Sequence, residues 1–106
     1  MSNNNFNINF SHLTQFEVDT LSLSITDNAI SGKAITKLER NRLWDLVEEL
    51  CVSINSINSF SKNDLRLLCD SLFRYSSMYI FEEKEGRTCL KIADYIISKT
   101  RGDINE

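Results

Sequence analysis

The sequence is poor in the residues and runs from which function is most often read. It holds one histidine, His12, one tryptophan, three glycines, three cysteines and no proline in 106 residues. No apolar run approaches the roughly 20 residues that a bilayer span needs, so no membrane partner is expected. Residues 1–10 contain neither a basic residue nor an apolar stretch of signal-peptide length, and the chain is therefore expected to stay in the cytoplasm. His12 has no Cys or Ser placed near it by any spacing, and a nucleophilic triad needs a base oriented by a third group. Cys51, Cys69 and Cys89 cannot all pair within one chain, and their wide spacing matches no zinc pattern. They read as buried free thiols that behave as small hydrophobes. Ser31, Gly32 and Lys33 lack the rest of a phosphate-binding G-x-x-x-x-G-K-[ST] loop. The neighbouring carboxylates Glu48 and Glu49 point about 100° apart on a helix, which makes them a solvated face and not an acid–base pair. No catalytic residue, metal or cofactor is expected, and the chain reads as non-enzymatic.

What is present is ordinary in amount and informative in arrangement. Apolar residues at 42% and charged residues at 25% are the proportions of a globular domain, and the length fits one. Net charge is -3, the wrong sign for general binding to a phosphate backbone, which favours a protein as partner. Abundant Asn, Ser, Ile and Lys without proline is the composition of products of AT-rich genomes, small phage proteins among them.

The period of the apolar pattern changes once along the chain. Phe6, Ile8 and Phe10 alternate with asparagines, and Phe16, Val18, Leu21, Leu23 and Ile25 alternate among Thr and Ser. Both read as strands, a β-hairpin or extended arm over residues 1–35. A helix over 12–24 is the competing reading, and Thr20 interrupts its apolar face. Asp27 with Asn28 marks a turn. Thr36 and Glu39 have capping-box spacing and open a helix over 36–57, with Leu43, Leu46, Val47, Leu50, Cys51, Ile54 and Ile57 as its stripe. The Asn- and Ser-rich stretch from Asn55 ends it. Ser61 and Asp64 cap a central helix over 61–85, stopped by Gly86. Thr88 then caps a last helix over 88–101, whose stripe is Cys89, Ile92, Ala93, Ile96 and Ile97, ended by Gly102. The expected fold is mainly α with some β: a three-helix core whose last two helices form an antiparallel hairpin, plus the N-terminal arm, in a single domain.

The central helix asks for partners on two sides. Leu65, Leu68, Cys69, Leu72 and Tyr79 fall on one face, and Leu67, Met78 and Phe81 near the opposite one. Burying each of the latter three is worth roughly 1.5 to 3 kcal/mol, so something should cover them. Either the arm does so through Phe6, Ile8 and Phe10, or a second molecule does, with Arg74 as an interface anchor. Leu67, Arg74, Met78 and Phe81 are thus the candidate partner-binding residues. This leads to a small protein-binding module of the inhibitor, immunity or antitoxin type, with homodimerisation through the central helix or the arm as a second possibility. The alternative is a nucleic-acid-binding regulator using Lys33, Lys37, Arg40 and Trp44, which share one flank if the first helix begins before Thr36.

Overall fold

The computed structural model describes residues 5–53, 57–78 and 83–100. In chain order these form β1 (Phe6–Asn9), α1 (Gln15–Ser31), α2 (Lys37–Ser53), β2 (Ile57–Phe60), α3 (Lys62–Met78) and α4 (Glu83–Thr100). The protein is mainly helical with a small antiparallel sheet, the expected class. No helix among the described residues is long and apolar enough to cross a membrane.

Three helices start at reciprocal caps, in which a hydroxyl and a carboxylate three residues apart each accept an otherwise orphaned backbone N–H. At α2 the Glu39 N–H donates to Thr36 Oγ1 (3.1 Å) and the Thr36 N–H to Glu39 Oε1 (2.8 Å). At α3 the Asp64 N–H donates to Ser61 Oγ (3.0 Å) and the Ser61 N–H to Asp64 Oδ2 (3.2 Å). Both follow from the spacing. The third cap, Thr14 with Glu17, opens a helix where alternation predicts a strand.

Residues 16–25 are therefore helical, and the burial pattern gives the reason. Glu17, Thr20, Leu21, Ser24, Ile25, Asn28 and Ala29 are the buried residues of α1, spaced as one helical face. Leu23, which completes the apparent period of two, is 54% exposed. Thr20, which interrupts the apolar face in the sequence, is buried with its hydroxyl donating to the Phe16 carbonyl (2.8 Å). Asn28 likewise sits in the core and not in a turn: its Nδ2 donates to Ser71 Oγ (2.9 Å), which in turn donates to the Leu67 carbonyl (2.8 Å). Such bonds remove most of the cost of burying these groups. Among the described residues, no buried side-chain N or O atom is left without a partner.

The extended arm survives as β1, but its partner is distant in sequence. Phe6 pairs with Phe60 and Asn9 with Ile57, so α2 ends at Ser53 and Ile57, expected as the last member of its stripe, instead opens a strand. Ile8, Phe10 and Phe60 turn into the core, where the Phe10 ring meets Phe60 edge-on at 6.0 Å and Tyr95 of α4 at 6.1 Å. Tyr95 also donates its hydroxyl to the Asn9 carbonyl (2.7 Å), tying the arm to α4.

The helices α3 and α4 make the most extensive contact in the molecule, and a link of only four residues makes them the expected antiparallel hairpin. Their boundary differs from expectation. The last turn of α3 ends at Met78, and Gly86 lies inside α4 and does not stop a helix. Thr88 is no cap either, since its hydroxyl donates to the Lys84 carbonyl one turn earlier (2.7 Å). Cys69 and Cys89 are buried as expected; burial pushes their thiols up to about 12 and about 11, with Asp70 and Glu85 adding to it. Cys51 departs from the reading and is exposed. Ile54, Tyr79, Phe81 and Gly102 lie outside the described residues.

Candidate interaction surface

The second side of α3 is covered by the chain itself, and by α1, not by the arm. Leu67 is 2% exposed. It shares its side of α3 with Ser71, which bonds Asn28, and with Arg74, whose Nη1 donates to Asp27 Oδ2. With Glu17 on Lys91 of α4, these two links show α1 crossing the α3–α4 pair, its N-terminal end on α4 and its C-terminal end on α3. Leu67 is thus a core residue and not a free contact. Arg74 and Met78 keep a surface: the Arg74 side chain is 31% exposed despite its ion pair, and Met78 is 48% exposed.

Arg74 also forms part of a cleft of about 430 Å³ between the α1–α2 corner and α3. Ala34, Ile35 and the exposed ring of Phe73 supply apolar walls, and Lys33, Asp70 and Arg74 supply charge. Partial burial at this wall pushes the Asp70 carboxyl up, with Arg66 opposing the shift and Glu39 adding to it. Unlike Asp27, Asp70 carries its charge here without an ion pair among the described residues. The corner itself is closed tightly. Gly32 follows α1 with its N–H on the Asn28 carbonyl (2.8 Å), and an added Cβ would stand 2.5 Å from that same oxygen. Glycine is required there by the close approach, since its φ of -64° is open to any residue.

The basic flank is dispersed. Lys33 lies in the corner, because α2 begins only at Lys37. Arg40 turns back onto α1, donating to the Ala29 carbonyl and to the Gly32 carbonyl (3.0 Å from Nη2). It neutralises the negative end of a helix whose own last turn has no basic residue. Lys37 and Trp44 remain exposed, two turns apart on the outside of α2. The structure does not gather the four residues into one site.

Two further carboxylates serve the frame. Glu17 completes the α1 cap and accepts from Lys91 Nζ of α4 (2.8 Å); the Lys91 hydrogen bond and then the Thr14 N–H hold its carboxyl below the usual range. Asp64 is clasped through both oxygens by Arg42 of α2 (2.8 and 2.9 Å). Burial pushes the Asp64 carboxyl up, but Arg42 and the Ser61 N–H outweigh it and the net shift is downward.

Sequence reasoning missed Leu23, Ile30, Ile35, Asp70 and Phe73, because it read the first helix as a strand and so left α3 without its neighbour. One signal was available: Thr14-Gln15-Phe16-Glu17 has the same capping spacing that correctly opens the next two helices. No family model matches the chain, and neither a curated protein nor a solved structure does.

Proposed function

We propose that the protein is a small cytoplasmic, non-enzymatic binding module that acts by occupying a surface of a partner protein, in the manner of inhibitors, immunity proteins and phage-encoded antagonists. The observation that carries this reading is Arg74. It is held in place by Asp27, remains reachable, and stands between exposed Phe73 (41%) and exposed Met78 (48%) at the edge of the Ile35 cleft. An oriented arginine beside an aromatic ring, a methionine and an apolar recess has the composition of an interface core. Its ion pair pre-organises the guanidinium, which lowers the entropy lost on docking. Of the residues singled out by sequence, Arg74 and Lys33 line this cleft and Met78 lies one turn beyond Arg74 on α3; Phe73 and Ile35 join them.

Affinity capture from the source cells tests it, with the native chain, Phe73→Glu, Met78→Glu and Leu38→Glu as baits. Leu38 is 81% exposed on α2, away from the cleft. A partner retained by the native chain and by Leu38→Glu, and lost with the other two while their circular dichroism is unchanged, is the expected result. Partners that all four baits retain equally would remove this face from the function.

A further inference from the structure

The outer side of α1 carries a second apolar feature, separate from the cleft. Phe16, Leu23 and Ile30 are spaced by seven, so they form one straight row along the helix. Leu23 is 54% and Ile30 65% exposed, and Phe16 is half-buried beneath Lys84 Nζ, 4.3 Å from the ring centre. We infer that this row binds a second copy of the chain, with the two α1 helices antiparallel and Leu23 on the two-fold axis.

The row is a palindrome in shape. Leu23 has a large apolar neighbour seven residues before it and another seven after it, so an antiparallel two-fold sets Leu23 against itself and Phe16 against Ile30 twice. Each copy then fills what the other leaves wet, as an isologous interface requires. The polar borders agree with this arrangement. Along the border toward α3 and α4, Lys84 stands at the Phe16 end and Asp27 at the Ile30 end. The two-fold keeps that border on the same side of both copies and reverses its order. Lys84 of each therefore comes beside Asp27 of the other, where it adds a second cation to a carboxylate that Arg74 of its own chain already holds. On the other border, Asp19 comes opposite Thr26 of the second copy. The two Asp19 residues are separated by eight positions along the helix axis, about 12 Å at 1.5 Å per residue, which exceeds the screening length of about 8 Å at physiological salt. Leu38 and Val52 are more exposed still, at 81% and 80%, yet they stand fourteen residues apart with Asp45 between them and form no such row.

A residue on a two-fold axis meets itself, which gives the test. In purified full-length chain carrying Cys51→Ser, so that the exposed native thiol is gone, Leu23→Cys should form a disulfide-linked dimer rapidly under mild oxidation, while Leu38→Cys should not, despite its greater exposure. Light scattering at tens of micromolar should give twice the 12.2 kDa chain mass for the native protein. Leu23→Glu should return it to one chain mass, and Lys84→Glu should raise the dissociation constant several-fold at low salt. Native protein of single-chain mass, or Leu23→Cys that links no faster than Leu38→Cys, would overturn the inference. These measurements use no partner, so they stand or fall apart from the binding role of the Arg74 cleft.

Discussion

The helices α1 and α4 are nearly equal in length, seventeen and eighteen residues, and both lie in the core, but they bury opposite kinds of side chain. The inner face of α4 is Cys89, Ile92, Ala93 and Ile96, with Thr100 at its end. The inner face of α1 alternates a row of Leu21, Ile25 and Ala29 with a row of Glu17, Thr20, Ser24 and Asn28. Each polar member of that second row is matched: Thr20 and Ser24 donate to carbonyls of their own helix, Asn28 reaches Ser71, and Glu17 reaches Lys91. Burial therefore follows position on the helix, not hydropathy alone, wherever a polar group finds a partner. One face advertises itself in the sequence; the other has a meaning only once its partners are in place.

This contrast can be broken or sharpened by substitution, beginning with the apolar members of each face. Ile25→Ala in α1 and Ile96→Ala in α4 should both destabilise by about 2 to 5 kcal/mol, as large-to-small changes in a packed core do. Urea denaturation measures it, and a negligible cost for Ile25→Ala would remove α1 from the core.

The polar row comes next. Asn28→Ala should cost about 1 to 3 kcal/mol, because it leaves a buried Ser71 oxygen with one bond fewer. Adding Ser71→Ala to it should cost less than the sum of the two single changes, the coupling expected of groups that share a bond.

The Glu17 cap and bridge should be smaller and dependent on pH. Glu17→Gln should cost about 1 kcal/mol near neutral pH, within the range of helix-capping changes. The folded state holds the Glu17 carboxyl below its ordinary value of 4.5, so its contribution is complete above that value and fades as pH falls through the depressed one. Native and Glu17→Gln proteins should therefore converge in stability as acid is added from pH 5 downward. A difference that stays constant across that range would mean that the bridge to Lys91 contributes nothing. Asp70 has the opposite sign: its carboxyl is pushed above 3.8, folding disfavours its charge, and Asp70→Asn should slightly raise the melting temperature at pH 7.

The smallest effect compares cysteines. Cys51→Ser, at an exposed position, should change stability by less than about 0.5 kcal/mol, whereas Cys89→Ser should be measurably destabilising, since it places a hydroxyl in an apolar site.

The same contrast explains what could be read in advance. The two C-terminal helices, most of their stripes and the caps at Thr36 and Ser61 were legible because local chemistry and burial agree there. At α1 they disagree. Leu21, Leu23 and Ile25 mimic a strand, and Thr20 and Asn28 look like interruptions until Phe16 and Ser71 are seen to accept their hydrogen bonds. The candidate site was half legible. Arg74 and Met78 were chosen for lying on the second side of α3, while Leu67 was chosen for the same reason and proved to be covered. Spacing finds a face; it does not say which of its residues a neighbouring helix will reach.

By itself the sequence determined that the chain is mainly helical, that its last two helices turn back on one another and that Cys69 and Cys89 are core residues, since a period near 3.6 in apolar side chains has few other physical solutions. Only the tertiary structure decided that residues 15–31 are a helix, that the N-terminal strand pairs with residues 57–60, and that Arg40 serves a helix end instead of a ligand. Those outcomes depend on polar partners as many as 86 residues away, as Asn9 and Tyr95 are, and a hydrogen bond across such a separation leaves no period in the chain that makes it.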